Sequence, residues 1–250
     1  MKISFTNKHF WGIASVVSIL AVWKLLSLLL GSEFLLPSPE RTLLTTLGLF
    51  GEKEFLSVVG STVLRGLGGF SISIVLGIGL GVLAGMHPHF NAFLQPILVT
   101  IRSIPVIALI LLALIWFNPG SVPVFIAILT MFPFICINVI DGVKSMDSDL
   151  TEMAAFYRVG RYRIIRDLYL PGIMPFIISG ASSAMGIGWR AIITGEVLSQ
   201  PRYGIGTLMQ GAQTFLNVDA VIAWTILAVV ISFGFEKAIR WGERKLIAWK

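Results

Sequence analysis

Ile104-Pro-Val-Ile-Ala-Leu-Ile-Leu-Leu-Ala-Leu-Ile-Trp-Phe117 runs without a charged residue. A strand of a membrane barrel would alternate apolar and polar side chains along such a stretch, because its two faces meet lipid and lumen. Here both faces are apolar, as in a helix that is apolar all round. Extended back to residue 93, the stretch reaches the ~20 residues that cross about 30 Å of hydrocarbon at 1.5 Å per residue. Runs of the same kind lie at 10–30, 58–86, 121–140, 172–198 and 219–238. The sequence therefore predicts an all-α membrane protein with about six transmembrane helices, forming a single domain over residues 1–250.

Composition agrees. Hydrophobic residues make up 56% of the chain and charged residues 13%, against about 25% charged in an average soluble domain. The net charge of +6 does not point to nucleic acid, which needs Lys and Arg gathered on one soluble face. These residues stand beside the apolar runs instead. Cys136 has no cysteine to pair with in the chain and reads as a small packing residue. Trp11 to Leu30 is too long for a secretory signal and reads as a retained first span.

With the N-terminus inside and six crossings, twelve basic residues fall on the cytoplasmic side. They are Lys2, Lys8, Lys144, Arg158, Arg161, Arg163, Arg166, Lys237, Arg240, Arg244, Lys245 and Lys250. Arg41, Lys53 and Arg202 fall outside. The positive-inside rule thus places both termini in the cytoplasm, and an odd number of crossings would break that arrangement. After the first span, Leu36-Pro37-Ser38-Pro39-Glu40 ends one helix and opens a short amphipathic one. In the second span Ser73, Gly77, Gly81 and Gly85 share one face, and Gly180, Ala184 and Gly188 do so in the fifth. Such faces admit a close neighbour, either within one subunit or across a dimer seam.

One long cytoplasmic connection runs from Asp141 to Leu170. Ser148 reads as a helix start, with Asp147, Asp149 and Glu152 suited to the positive end of the helix dipole. Gly160 allows a turn, and Arg161 to Tyr169 forms a second short helix before Pro171 and Pro175 open the fifth span.

This connection, Glu152-Met-Ala-Ala-Phe-Tyr-Arg-Val-Gly-Arg-Tyr-Arg-Ile-Ile-Arg-Asp-Leu-Tyr-Leu-Pro171, resembles the cytoplasmic loop of ABC importer permeases of the nitrate, sulfonate and taurine type. Those permeases carry Glu-Ala-Ala, a Gly a few residues on, and Leu-Pro between the fourth and fifth spans. Here the family's Gly position holds Arg158 and the nearest glycine is Gly160, which displaces the expected turn. The resemblance extends to Leu36-Pro37-Ser38-Pro39, Arg65 with Gly68-Gly69-Phe70, Arg102-Ser-Ile-Pro105, Gly188-Trp189-Arg190, Gly195-Glu196-Val197 and Ala223-Trp224-Thr225.

The resemblance implies a type I, methionine-importer-like permease fold in a bacterial inner membrane, with residues 147–171 as a coupling-helix loop. It implies as partners two copies of an ABC ATPase, a second permease copy, a soluble solute-binding protein and membrane lipid. ATP and Mg would be held by the ATPase and no cofactor by this chain, which has no Gly-x-x-x-x-Gly-Lys-Ser/Thr phosphate loop. Coupling falls to Glu152, Ala154, Ala155, Phe156, Tyr157 and Gly160: a charge to pair, small residues for close approach, aromatics to anchor and a turn. The other reading of this loop lays it on anionic lipid through its arginines. Its five acidic residues offset its five basic ones.

Arg65, Arg102, Arg190 and Glu196 fall within predicted spans, where an ionisable group costs about 2.5–3.5 kcal/mol or more unless paired or hydrated. Arg190 and Glu196 are about 120° apart around one helix and do not pair directly. Arg190 either lines a cavity and meets an anion or forms a salt bridge. Glu196 is expected near the outer end, solvated or closing a gate, and Arg65 and Arg102 are expected to snorkel. The candidate pathway set is Arg190, Glu196, Trp189, Met185 and Arg102. An anionic solute suits these arginines, while the family's vitamin-precursor permeases supply the alternative. His87 and His89 flank Pro88 in a turn and make a poor metal site. Without a catalytic motif the sequence points away from an enzyme, and a passive channel would leave the cytoplasmic loop without a role.

Overall fold

A computed structural model describes residues 5–246, all of whose regular structure is helical. In order the helices are α1 (Phe5–Leu30), α2 (Pro39–Leu49), α3 (Phe55–Met86), α4 (Pro88–Ser103), α5 (Val106–Trp116), α6 (Val122–Lys144), α7 (Ser148–Phe156), α8 (Arg161–Ile164), a π-helical turn (Ile165–Tyr169), α9 (Leu170–Ser199), α10 (Ile205–Thr214) and α11 (Val218–Leu246). Five helical segments are long and apolar enough to cross a membrane, and α4 with α5 supplies a sixth if that bent pair counts as one crossing. The chain divides into two compact units, one of residues 1–56 and 208–228 and the other of residues 57–207 and 229–250.

In the first unit, Ser38 caps α2 by accepting from the Arg41 N–H, as its place before Pro39 and Glu40 predicts. The link from α1 is tied down by the Trp23 indole N–H donating to the Pro37 carbonyl at 3.1 Å and the Ser27 hydroxyl donating to that of Leu36 at 3.0 Å. The Lys24 ammonium donates to Glu40 at 2.9 Å, and that bond holds the Glu40 carboxyl below the usual carboxylate range. Arg41 bridges Glu33 and Asp219, the latter at 2.5 Å.

The second unit is built on α6, which lies between α3 and α9. The α3 glycines are used inside the chain. A Cβ built on Gly69 would stand 2.6 Å from the Ala127 Cβ, one on Gly77 2.7 Å from Ile135, and one on Gly81 2.7 Å from Val139. Gly180 and Gly188 of α9 press in the same way against Asn138 and Met131. Of the two uses open to such faces, close packing within the subunit is therefore the one observed. Ala127, Met131, Ile135, Val139, Ala184 and Ile192 are fully buried in this core. Cys136 is also fully buried, in a cluster with Ala84, Leu94, Leu98 and Ile140.

Two predicted elements differ. The third span is not straight: α4 and α5 meet at a 96° bend. Pro105 drives Ile104 out of the helical region, to φ −72° and ψ 130°, and has no N–H to continue the hydrogen-bond ladder. Arg161 to Tyr169 is not a separate cytoplasmic helix but the beginning of a 38-residue helical span, Tyr162–Ser199. Its π turn, closed by the Leu170 N–H on the Ile165 carbonyl, widens the helix just before Pro171 and lets it pass the proline.

Candidate functional site

α7 stands between α6 and the span that contains α9. Asp147 begins it, its carboxylate accepting from the Asp149 N–H at 2.9 Å. The side chains of Ser148 and Ala155 lie outside the described residues. Leu150, Met153, Phe156 and Tyr157 recur at i, i+3, i+6 and i+7, on one side of the helix, and all are exposed, Phe156 at 84% and Tyr157 at 72%. The two rings meet edge to face, 5.6 Å apart. Glu152 is exposed and Ala154 half-buried.

The turn after α7 falls on Arg158, not Gly160. Arg158 has φ +52°, the Val159 N–H reaches back to the Ala154 carbonyl at 2.9 Å, and Gly160 is not among the glycines of positive φ. This is the left-handed helix stop usually filled by glycine, and it stands at Arg158, so the turn is not displaced to Gly160. Arg158→Gly is expected to stabilise the turn by about 1 kcal/mol, read as roughly fivefold slower exchange of the Val159 amide hydrogen.

At the far end of the span, about 50 Å along its axis from Tyr162, Glu196 is fully buried. It is not solvated, and Arg65 does not snorkel. The Arg65 Nη1 donates to Glu196 Oε1 at 2.6 Å and to the Tyr203 carbonyl at 2.7 Å. The Thr62 hydroxyl donates to the carboxylate at 2.9–3.0 Å and accepts from the Ile205 N–H at 2.9 Å. The Gly206 N–H completes the set at 3.0 Å from Oε2. The first N–H groups of α10 are thus capped by a hydroxyl on α3 and a carboxylate on α9, the negative charge standing at the positive end of the α10 dipole. Gly204 is required, since a Cβ there would lie 2.7 Å from the Glu196 carboxylate. Thr62, Tyr203 and Gly206 escape a reading of the sequence, although one signal was present: Glu196 is an acid inside a predicted span, so a nearby arginine had to answer it.

The remaining pathway candidates divide. Met185 and Trp189 are each 2% exposed, Met185 in the core against α6 and Trp189 beside Phe235, with ring centroids 5.3 Å apart. Arg102 is exposed, with its guanidinium over the Phe134 ring at 4.7 Å. Arg190 is exposed beside a cavity of about 460 Å³ next to the α4–α5 bend. His87 precedes Pro88 as the start of α4, and among the described residues no three His, Cys, Asp or Glu side chains gather as a metal site.

Membrane-length helices, interrupted by a short exposed one, define a multi-pass membrane protein. The chain belongs to the binding-protein-dependent transport system inner membrane component family, which it matches over residues 77–247. It is therefore a transport permease of the inner membrane, whose system includes a solute-binding protein and an ATPase. The taurine transport system permease protein TauC of Escherichia coli is 28% identical, over 91% of this chain and 84% of its own length. A protein of the same organism named for aliphatic sulfonates transport, SsuC, is 33% identical over 93% and 89%. The formylaminopyrimidine transport permease protein ThiX of Halalkalibacterium halodurans is 29% identical over 93% and 92%. Among solved structures, an inward-facing MetNI methionine ABC transporter chain aligns with TM-score 0.52 at 15% identity, covering 76% of this chain and 98% of that one. The fold is thus that of a type I ABC importer permease.

Proposed function

We propose that this chain and a second copy form the membrane pathway of an ATP-driven importer for a small solute bearing an anionic group of the sulfonate type. A soluble binding protein delivers the solute outside the membrane. Two ATPase subunits, which hold the ATP and Mg, dock beneath. The observation that carries this reading is α7, whose apolar side, ending in Phe156 and Tyr157, is left uncovered by its own chain. A protein groove suits it better than lipid, since exposed Glu152 stands among those residues and anionic headgroups would repel it. Counting the bent α4–α5 pair as one crossing gives six, and the distribution of Lys and Arg then supports cytoplasmic termini. The taurine and sulfonate relatives support the anion, while the relative named for formylaminopyrimidine keeps an uncharged heterocycle as a second reading.

Copurification tests the assembly: the permease should bring down a nucleotide-binding subunit from its native membrane. Glu152→Lys is expected to lower solute uptake more than tenfold, since breaking an interfacial charge pair costs about 2–5 kcal/mol. Uptake by proteoliposomes of the whole importer, with taurine competing against a formylaminopyrimidine, measures both points. Unchanged uptake in Glu152→Lys would remove α7 from the coupling path.

A further inference from the structure

Two sides of α9 differ. Gly180, Ala184, Gly188, Ile192 and Gly195 are buried, whereas Ser183, Gly186, Ile187 and Arg190 are exposed, with Thr194 half-buried in line with them. A helix side turned to lipid carries Leu, Ile and Phe. This one carries a hydroxyl, a glycine and a guanidinium at helical spacing. Arg190 lies about 13 Å along the axis from the Ser199 end of this 38-residue apolar span. The cavity beside it is bounded by Pro105, Val106 and Ile107 of the elbow and by Ile187 and Thr194. The Thr194 hydroxyl is occupied by the Arg190 carbonyl at 2.9 Å, which leaves the guanidinium as the polar group turned to the cavity.

A guanidinium stays protonated, so this charge needs an answer, and the described residues hold none. The acids in the membrane-length spans, the last taken as Val218–Gly242, are Asp141, Asp167, Glu196, Asp219 and Glu236. Glu196 is held by Arg65, Asp219 by Arg41 and Glu236 by Arg240. Asp141 and Asp167 lie at the α7 ends of their helices, Asp167 about 34 Å along the axis from Arg190. Arg102, also exposed, does not line this cavity.

We propose that Arg190 and the α4–α5 elbow form an oxyanion subsite in the translocation pathway, at which the guanidinium takes two oxygens of a sulfonate-like group. This rests on the importer reading above. A fork of parallel N–H donors matches such a group in the plane, and one arginine in an open cavity binds it weakly enough to let it go.

Ile187→Cys in the full-length permease, assembled in membrane vesicles, tests the subsite without knowledge of the solute. Reaction rates are measured with an anionic ethylsulfonate thiosulfonate reagent and a cationic trimethylammonium analogue. Buried Cys136 serves as the unreactive control. The thiol introduced at position 187 is expected to react with both and to favour the anion. Arg190→Gln should lower the anion-to-cation rate ratio about tenfold or more, and Arg190→Lys should retain most of it. An introduced thiol that reacts with neither reagent, or a ratio indifferent to the side chain at position 190, overturns the subsite. A failed importer reading shows separately, as permease that purifies without an ATPase while the charge-dependent ratio persists.

Discussion

Arg65→Gln is expected to destabilise the folded permease by about 3–5 kcal/mol, because it leaves the Glu196 carboxylate charged, buried and without its counter-ion. The effect reaches beyond the pair. The same Nη1 holds the Tyr203 carbonyl, so the loop that joins α9 to α10 loses an anchor along with its charge balance. Thr62 and the Gly206 N–H remain, and they stabilise a carboxylate less than a guanidinium does. Unfolding of the full chain by SDS in mixed micelles measures the loss, and a change under about 1 kcal/mol, the range of a weak exposed pair, would show that the pair contributes little. Glu196→Gln added to Arg65→Gln is expected to recover part of the loss, since no ionised group then stays buried.

The second large effect is expected on α3. Gly81→Val places a branched side chain where a Cβ alone would stand 2.7 Å from Val139 and 2.9 Å from the Cys136 carbonyl oxygen. A backbone oxygen inside α6 cannot turn aside as a side-chain end can, so the two helices must separate. Overpacking of this kind costs about 1–3 kcal/mol, and loss of neighbouring glycine contacts along the same seam carries Gly81→Val to the upper end of that range. Gly79→Val is the matched control: its Cβ meets nothing within 4 Å, and its effect should stay within about 0.5 kcal/mol. The same SDS titration compares them, and equal losses would mean that helix propensity, not the α3–α6 approach, sets the cost.

Where the causes are local, the chain is legible. Apolar runs predict spans because lipid offers no partner to backbone N–H and C=O groups, so each crossing must satisfy its own. The Ser38 cap, the start of α7 near Ser148 and the apolar side of α7 that ends in Phe156 and Tyr157 follow from residues within one or two turns of each other. Proline was harder. Pro105 bends its span by 96°, while Pro171 and Pro175 do not divide theirs, because a π turn absorbs the first and the long helix continues through the second. Spacing alone does not separate these outcomes. Arg158 shows the limit in the other direction: glycine marks a left-handed helix stop only on average, and here the Ala154–Val159 bond imposes that conformation on an arginine.

The sequence by itself determined that the chain is a helical membrane protein, that a short charged and aromatic helix interrupts its spans, and that several arginines lie where charge is costly. Each is a property of composition or of neighbours a few residues apart. Only the tertiary structure decided what answers those charges. Arg65 finds Glu196 across 131 positions of chain, and Arg190 finds no acid among the described residues, because pairing in a bundle depends on which helix sides close-packed glycines bring together.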